Sequence, residues 1–182
     1  MKKNKLGIKI GLGILIIVIL ALIGVIIWGI KSGNGFTFFE KPVIIYDNTF
    51  EKIASINVDV TSYDVELKES NNDTIKVEIS GSKKNQDKFH VEEENGNLTI
   101  NENGSSVCIG FCLDGAITIY LPNQDIIYHH KSSSGNIYSD IDLGSVDINT
   151  TSGDITLKNI NDGTISSTSG NINVANANKL NA

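Results

Sequence analysis

From residue 51 onward, apolar and polar residues alternate in short runs. Ile56, Val58 and Val60 are separated by polar residues. Alternation of this kind turns one apolar face toward a core and is typical of half-buried strands. Further runs with the same period lie at 65–67, 75–79, 89–91, 98–100 and 117–121. No part of the chain after residue 30 shows helical spacing over about ten residues. The pattern therefore predicts an all-β domain.

Three copies of one short phrase, Ser-Gly-Asn/Asp-Ile, lie within residues 132–182. Their glycines, Gly135, Gly153 and Gly170, are spaced 18 and then 17 residues apart. Ser-Gly-Asx favours a turn, because glycine takes positive φ freely and Asn or Asp bonds to nearby backbone. Each turn leads into a strand such as Ile155-Thr156-Leu157, and one such unit cannot bury its apolar face alone. The repeat predicts stacked units, as in a β-solenoid. An antiparallel meander with similar turns is the alternative.

The third repeat is incomplete at Ala182. Its strand, Ile172-Asn173-Val174, is followed by the small residues Ala175 and Ala177, which bury little apolar area. The edge of this last unit also leaves backbone groups unpaired. We expect fraying of about the last ten residues, with association through the open edge as the alternative.

A long run without charged residues, residues 10–30, lies near the amino terminus. About 20 apolar residues in a helix cross a bilayer core of about 30 Å. Four lysines precede the run, against Lys31 alone just behind it, so the amino terminus is predicted to be cytoplasmic. We therefore expect a single-pass protein of the cell membrane that contacts the lipid bilayer through residues 10–30. A cleaved signal peptide is the alternative.

These patterns divide the chain into three regions. Residues 1–30 are predicted to form a cytoplasmic tail and a transmembrane anchor. Residues 31–50 are predicted to be a linker, in which 43–46 could add a strand. Residues 51–182 are predicted to be one extracellular β domain, since about 130 residues bury a single modest core.

Charge separates the amino-terminal region from the rest. All 21 acidic residues and 11 of the 15 lysines lie after residue 30, so that part carries a net charge of −10 and the first 30 residues carry +4. Nucleic-acid binding needs a basic face, which this composition does not provide. An acidic exported domain stays soluble and repels anionic polymers.

Few residues are candidates for disulfide formation, metal binding or catalysis. Cys108 and Cys112 predict either a local disulfide or two free thiols, because a zinc site needs more Cys or His at ligand spacing. His129 and His130 point to opposite faces of a strand, so they are predicted to be a surface pair rather than one site. No nucleophile elbow, phosphate loop or dinucleotide motif is present in the sequence. The sequence predicts no catalytic, cofactor-binding or metal-binding residue.

The order of these segments resembles a bacterial family of domains of unknown function that are regarded as candidate adhesins. The matching segments are 56–60, 65–67, 75–81, 98–100, Ile117-Thr118-Ile119-Tyr120-Leu121-Pro122 and the three Ser-Gly-Asx-Ile phrases. The strand that ends in Leu-Pro and is followed by the phrases is the more specific part. The resemblance covers about residues 51–182. It implies a β-solenoid fold and an adhesin-like role, and it implies no catalytic residue and no defined ligand.

Two functional hypotheses follow. The first is a non-enzymatic module of the cell surface that contacts an envelope or external ligand. The second is an accessory regulator of a cell-envelope stress response that acts through a membrane protein partner. An enzyme that acts on polysaccharides is disfavoured, because the acidic residues of the repeats do not recur in register.

Overall fold

The computed structural model describes residues 41–104, 115–122 and 125–182, together with scattered helical positions from 13 to 27. The chain divides into two units, residues 1–40 and 41–182. Among the described positions, no helix has the length and apolar character that a membrane crossing requires. Most of the predicted span, residues 10–30, lies outside the described residues.

The second unit is all-β, as the alternation predicts. Its described residues form eleven strands and one short 3-10 helix, Lys83–Lys88. The strands are β1 Val43–Phe50, β2 Ser55–Val60, β3 Asp64–Glu69, β4 Ile75–Gly81, β5 Phe89–Glu94, β6 Asn97–Glu102, β7 Ala116–Leu121, β8 Ile127–Ser132, β9 Ile137–Ser152, β10 Ile155–Ser169 and β11 Ile172–Asn181.

The long strands β9, β10 and β11 each run through two parts of the sheet. The first half of β9 pairs with β3, and its second half pairs with β8. The first half-sheet therefore contains β1, β4, β7, β3 and the amino-terminal halves of the long strands. The second half-sheet contains β5, β6, β2, β8 and the carboxy-terminal halves. We call each passage of the chain through both half-sheets a coil.

Successive coils pair in parallel and in register with the sequence repeat. Ile155 of β10 lies between Ile137 of β9 and Ile172 of β11. These are the last residues of the three Ser-Gly-Asx-Ile phrases, so the repeats lie side by side. An antiparallel meander would pair these strands in opposite directions, and the observed pairing is parallel.

The inward side chains of both half-sheets form one hydrophobic cluster. In β3, β9 and β10, the equivalent residues Val65, Ile137 and Ile155 are almost fully buried, whereas Ile172 of β11 is 36% exposed. Full burial of such a side chain stabilises a fold by about 1.5–3 kcal/mol. The contribution to the core therefore falls off at β11, although β11 is a paired strand.

The sheet begins earlier in the chain than the sequence suggests. Residues 31–50 are predicted to be a linker, but Val43–Phe50 forms β1, antiparallel to β4. Ile45 alone is fully buried in this strand, and Val43 and Ile44 are exposed. The strand that the sequence allowed at 43–46 is therefore present and extends to Phe50. The linker prediction is wrong for residues 47–50, because an edge strand with one buried side chain shows no clear alternation.

Candidate functional site

The repeat glycines stack on one another at the turns between the half-sheets. A Cβ atom at Gly153 would lie 2.1 Å from the carbonyl oxygen of Gly135, and one at Gly170 would lie 2.2 Å from that of Gly153. Gly135 has φ +112° and Gly153 has φ +133°, a region that other residues rarely adopt. Close approach and backbone angle together require glycine in the middle coil.

The Asn and Asp residues of the phrases join one coil to the next. The backbone N–H of Asp154 donates to Oδ1 of Asn136 at 3.0 Å, and that of Asn171 donates to Oδ1 of Asp154 at 2.8 Å. Asn136 in turn donates its backbone N–H to Oδ1 of Asp64 at 2.6 Å. The stack of turns therefore starts at residues 62–65, one coil before the first recognised phrase, where Tyr63 occupies the place of glycine.

A groove of about 410 Å³ lies at the bend of the coils, where the long strands pass from the first half-sheet to the second. Amide side chains line it as a ladder. The Nδ2 group of Asn159 donates to Oδ1 of Asp142 at 2.7 Å, and that of Asn176 donates to Oδ1 of Asn159 at 2.8 Å. The full lining is Asp125, Asp142, Leu143, Gly144, Asn159, Ile160, Asn161, Asn176, Ala177 and Asn178.

A second, parallel ladder borders the same groove. Nδ2 of Asn178 donates to Oδ1 of Asn161 at 2.8 Å, and Gly144 lies at the equivalent place on β9. Because Gly144 has no side chain, β9 adds no amide to this second ladder. These asparagines were not predicted as site residues, although the spacing of 17 between Asp142, Asn159 and Asn176 was a readable signal.

An adjoining groove of about 370 Å³ lies on the other side of Asp142. Its lining residues are Glu69, Leu121, Pro122, Asp140, Ile141, Asp142 and Lys158. Nζ of Lys158 lies 3.3 Å from Oδ1 of Asp142, the oxygen that also accepts the amide of Asn159. The carboxylate shared by the two grooves is therefore both ion-paired and hydrogen-bonded.

Paired charges and a tyrosine cover the outer surface of the first half-sheet. Lys76 forms ion pairs with Glu78 and, at 3.4 Å, with Asp47. The hydrogen bond to Lys76 lowers the pKa of the Glu78 carboxyl. Tyr138, on β9 three strands away from β4, is 46% exposed. This surface presents charges that are already balanced by neighbours.

The two adjacent histidines do not form a surface pair. His129 faces outward, with Nδ1 3.7 Å from Asp147, but His130 is only 3% exposed. In the core, Nδ1 of His130 lies 3.1 Å from the hydroxyl of Tyr128, and no described residue bonds to its Nε2. Burial lowers the pKa of His130 to about 4 and raises the pKa of the Tyr128 hydroxyl. The surface prediction is right for His129 and wrong for His130, because β8 directs its even-numbered residues inward.

The other residues that the sequence analysis singled out lie in different parts of the chain. Cys108 and Cys112 lie outside the described residues. Gly135, Gly153 and Gly170 lie at the stacked turns of the phrases, as predicted. None of them lines the grooves. Within the described part of the chain, no three His, Cys, Asp or Glu side chains are grouped as metal ligands.

Comparisons with known proteins concern the β unit. No curated protein has a matching sequence. A candidate adhesin of Bacteroides fragilis has a similar structure, at 12% identity and a TM-score of 0.39, over 79% of this chain and 98% of that chain. A candidate cell adhesion protein of Clostridium sporogenes is similar at 11% identity and a TM-score of 0.42, over 78% of this chain and 98% of that chain. The family model of Toastrack DUF4097 matches residues 53–181, which is most of the sequence, and the protein therefore belongs to the Toastrack DUF4097 family.

Proposed function

We propose that this chain is a membrane-anchored, non-enzymatic interaction module of the cell surface, with an adhesin-like role. Its β-solenoid-like coils present a ligand-binding surface outside the cell, and residues 10–30 hold it in the bilayer. The anchor rests on the uncharged run and the lysines before it. The ligand is a molecule of the envelope or of the surroundings.

The observation that carries this proposal is the amide-lined groove at the bend of the coils. Its side chains are held by hydrogen bonds between strands, so the polar groups of the groove are ordered before a ligand arrives. Preordered groups lose little conformational freedom on binding. The asparagines remain exposed or half-exposed on the groove walls and are therefore within reach of a partner.

The electrostatics of the described residues also support a binding role. Catalytic groups tend to have strongly shifted pKa values and to lie in a cleft. Here the large pKa shifts belong to Tyr128 and His130, which are buried in the core. Asp142, the carboxylate between the two grooves, is instead paired with Lys158.

Binding of the purified full chain to isolated cell envelopes tests the proposal. We expect the full chain to bind saturably. A control protein, in which an unrelated soluble domain replaces the β unit after residues 1–40, should not bind. Binding by both proteins would show that the β unit is not responsible, and absence of saturable binding would contradict the proposal. Co-purification with a membrane kinase, without envelope binding, would instead favour the regulator.

A further inference from the structure

We infer that the groove at the bend of the coils binds an uncharged glycan chain bearing acetamido groups. This inference rests on the proposed function, because it names the ligand class of that same groove. Three properties of the groove lead to it: the arrangement of amide groups, the combination of apolar and polar lining residues, and the balance of charge.

The amide groups offer both hydrogen-bond donors and hydrogen-bond acceptors at regular intervals. Within the ladders, Asn176 and Asn178 each use one amide hydrogen toward the preceding strand. An asparagine side chain has a second donor hydrogen and a carbonyl oxygen with two lone pairs. Neighbouring strands are about 4.8 Å apart, so these groups recur along the groove at that interval. A ligand that carries both donors and acceptors in a repeating row fits this arrangement.

The groove combines apolar and polar lining residues. Leu143, Ile160 and Ala177 occupy equivalent places on β9, β10 and β11. Leu143 and Ile160 are almost fully buried, so Ala177, which is exposed, provides the accessible apolar surface beside the asparagines. A pyranose ring has the same division, with C–H groups on its faces and hydroxyls at its edge. Specific ligand sites in proteins commonly combine an apolar surface with a few well-placed polar groups.

The charges near the groove favour a neutral ligand. Two carboxylates, Asp125 and Asp142, line the groove, and neither is without a partner. Asp142 is engaged by Lys158 and Asn159. The net charge of −10 after residue 30 repels anionic polymers. An acetamido group is uncharged, and its N–H and C=O complement the C=O and N–H of asparagine.

The test is titration of the full chain in detergent with a hexasaccharide of β-1,4-linked N-acetylglucosamine. The double variant Asn176→Ala/Asn178→Ala removes the two outermost amides of the ladders. We expect it to bind about tenfold more weakly, since it loses the hydrogen bonds of two amide side chains. The matched control, Asn173→Ala/Asn181→Ala, removes two exposed asparagines of the same strand outside the groove and should bind like the unmodified chain.

A second variant keeps the test decisive if the double variant unfolds. Ala177→Phe fills the groove while leaving every amide in place, and it should also abolish binding. Equal affinity of the unmodified chain and the groove variants would overturn the inference. So would envelope binding that persists without any affinity for the hexasaccharide, and that result would leave the proposed function standing. The inference is supported if the groove variants lose both envelope binding and hexasaccharide binding while the control variant keeps both.

Discussion

At the scale of single residues, the repeat is explained by contacts between successive coils. The glycine of each phrase faces the carbonyl of the phrase before it, and the Asx side chain accepts the next backbone N–H. The isoleucines of the first two phrases, Ile137 and Ile155, then enter the core. Glycine, Asx and isoleucine therefore recur for three separate physical reasons, which keeps them in one register.

Gly153→Ala should destabilise the fold by about 3 kcal/mol or more, because it adds backbone strain at φ +133° to a close contact with a carbonyl oxygen. Gly104→Ala is the matched control. Gly104 also has positive φ, at +91°, but nothing lies within 4 Å of its added Cβ. Gly104→Ala should lower the stability of the fold by only about 1 kcal/mol, because it adds backbone strain without a close contact. Urea denaturation measures both, and equal losses would show that stacking at Gly153 is unimportant.

His130 makes the stability of the β unit depend on pH. Its folded-state pKa of about 4 lies below the ordinary 6.5, so the unfolded chain binds the proton more readily. Stability is therefore fully present above pH 6.5 and is lost as the pH falls toward 4. The loss between pH 7 and pH 4.5 should be about 2 kcal/mol from this residue.

His130→Leu should remove that part of the pH dependence, as measured by urea midpoints at the two pH values. His129→Ala is the control, because the side chain of His129 is 45% exposed. It should leave the pH dependence unchanged. A slope that survives in His130→Leu would mean that other groups cause the acid sensitivity.

At the scale of elements, sequence patterns predict strands well where alternation is strong. The runs at 56–60, 75–79 and 117–121 all lie within strands. The first coil was not recognised from the sequence, because Tyr63 lies at the position where later coils have glycine. Only the backbone oxygen of Tyr63 contacts the next turn, at Gly135, so the side chain at this position need not be glycine. The inward position of His130 was also missed, since alternation in Ile126, Tyr128 and His130 is visible only once the histidine is treated as a core residue.

The groove was not predictable from single residues, because it depends on which strands become neighbours. Asp142, Asn159 and Asn176 are 17 residues apart, and each alone reads as an ordinary polar position. Parallel pairing in register converts that spacing into a ladder of hydrogen bonds. The strands that pair with β1 and β7 lie still farther away along the chain, as in Val43 with Gly81 and Asp64 with Ala116, so local patterns could not identify these pairs either.

The strand β11 should open more easily than the strands beside it. It pairs with β10 along its length, but Val174 is its single half-buried residue and the others are exposed. Backbone amides of β11 should exchange hydrogen at least about tenfold faster than those of β9, through local opening. Native-state hydrogen exchange of the full chain measures both strands. Equal protection would contradict the expectation, and protection of β11 that rises with protein concentration would indicate association through its edge.

At the scale of the whole molecule, the sequence combines an acidic β unit with an amino-terminal segment of positive net charge. Balanced ion pairs cover one half-sheet, and an amide-lined groove lies at the bend between the two. This arrangement suits contact with a neutral partner rather than attraction of an anionic polymer. The proposed role depends on the β unit being outside the cell.

The exposure of the β unit at the cell surface tests that role most directly. Intact cells that produce the full chain are treated with an amine-reactive reagent that cannot cross membranes, and the labelled lysines are mapped by mass spectrometry. The side chains of Lys158 and Lys179 are 53% and 81% exposed, so both should be labelled. Lys2, Lys3, Lys5 and Lys9 should become labelled only after lysis. Labelling of these four in intact cells, with protection of Lys158 and Lys179, would contradict the proposal.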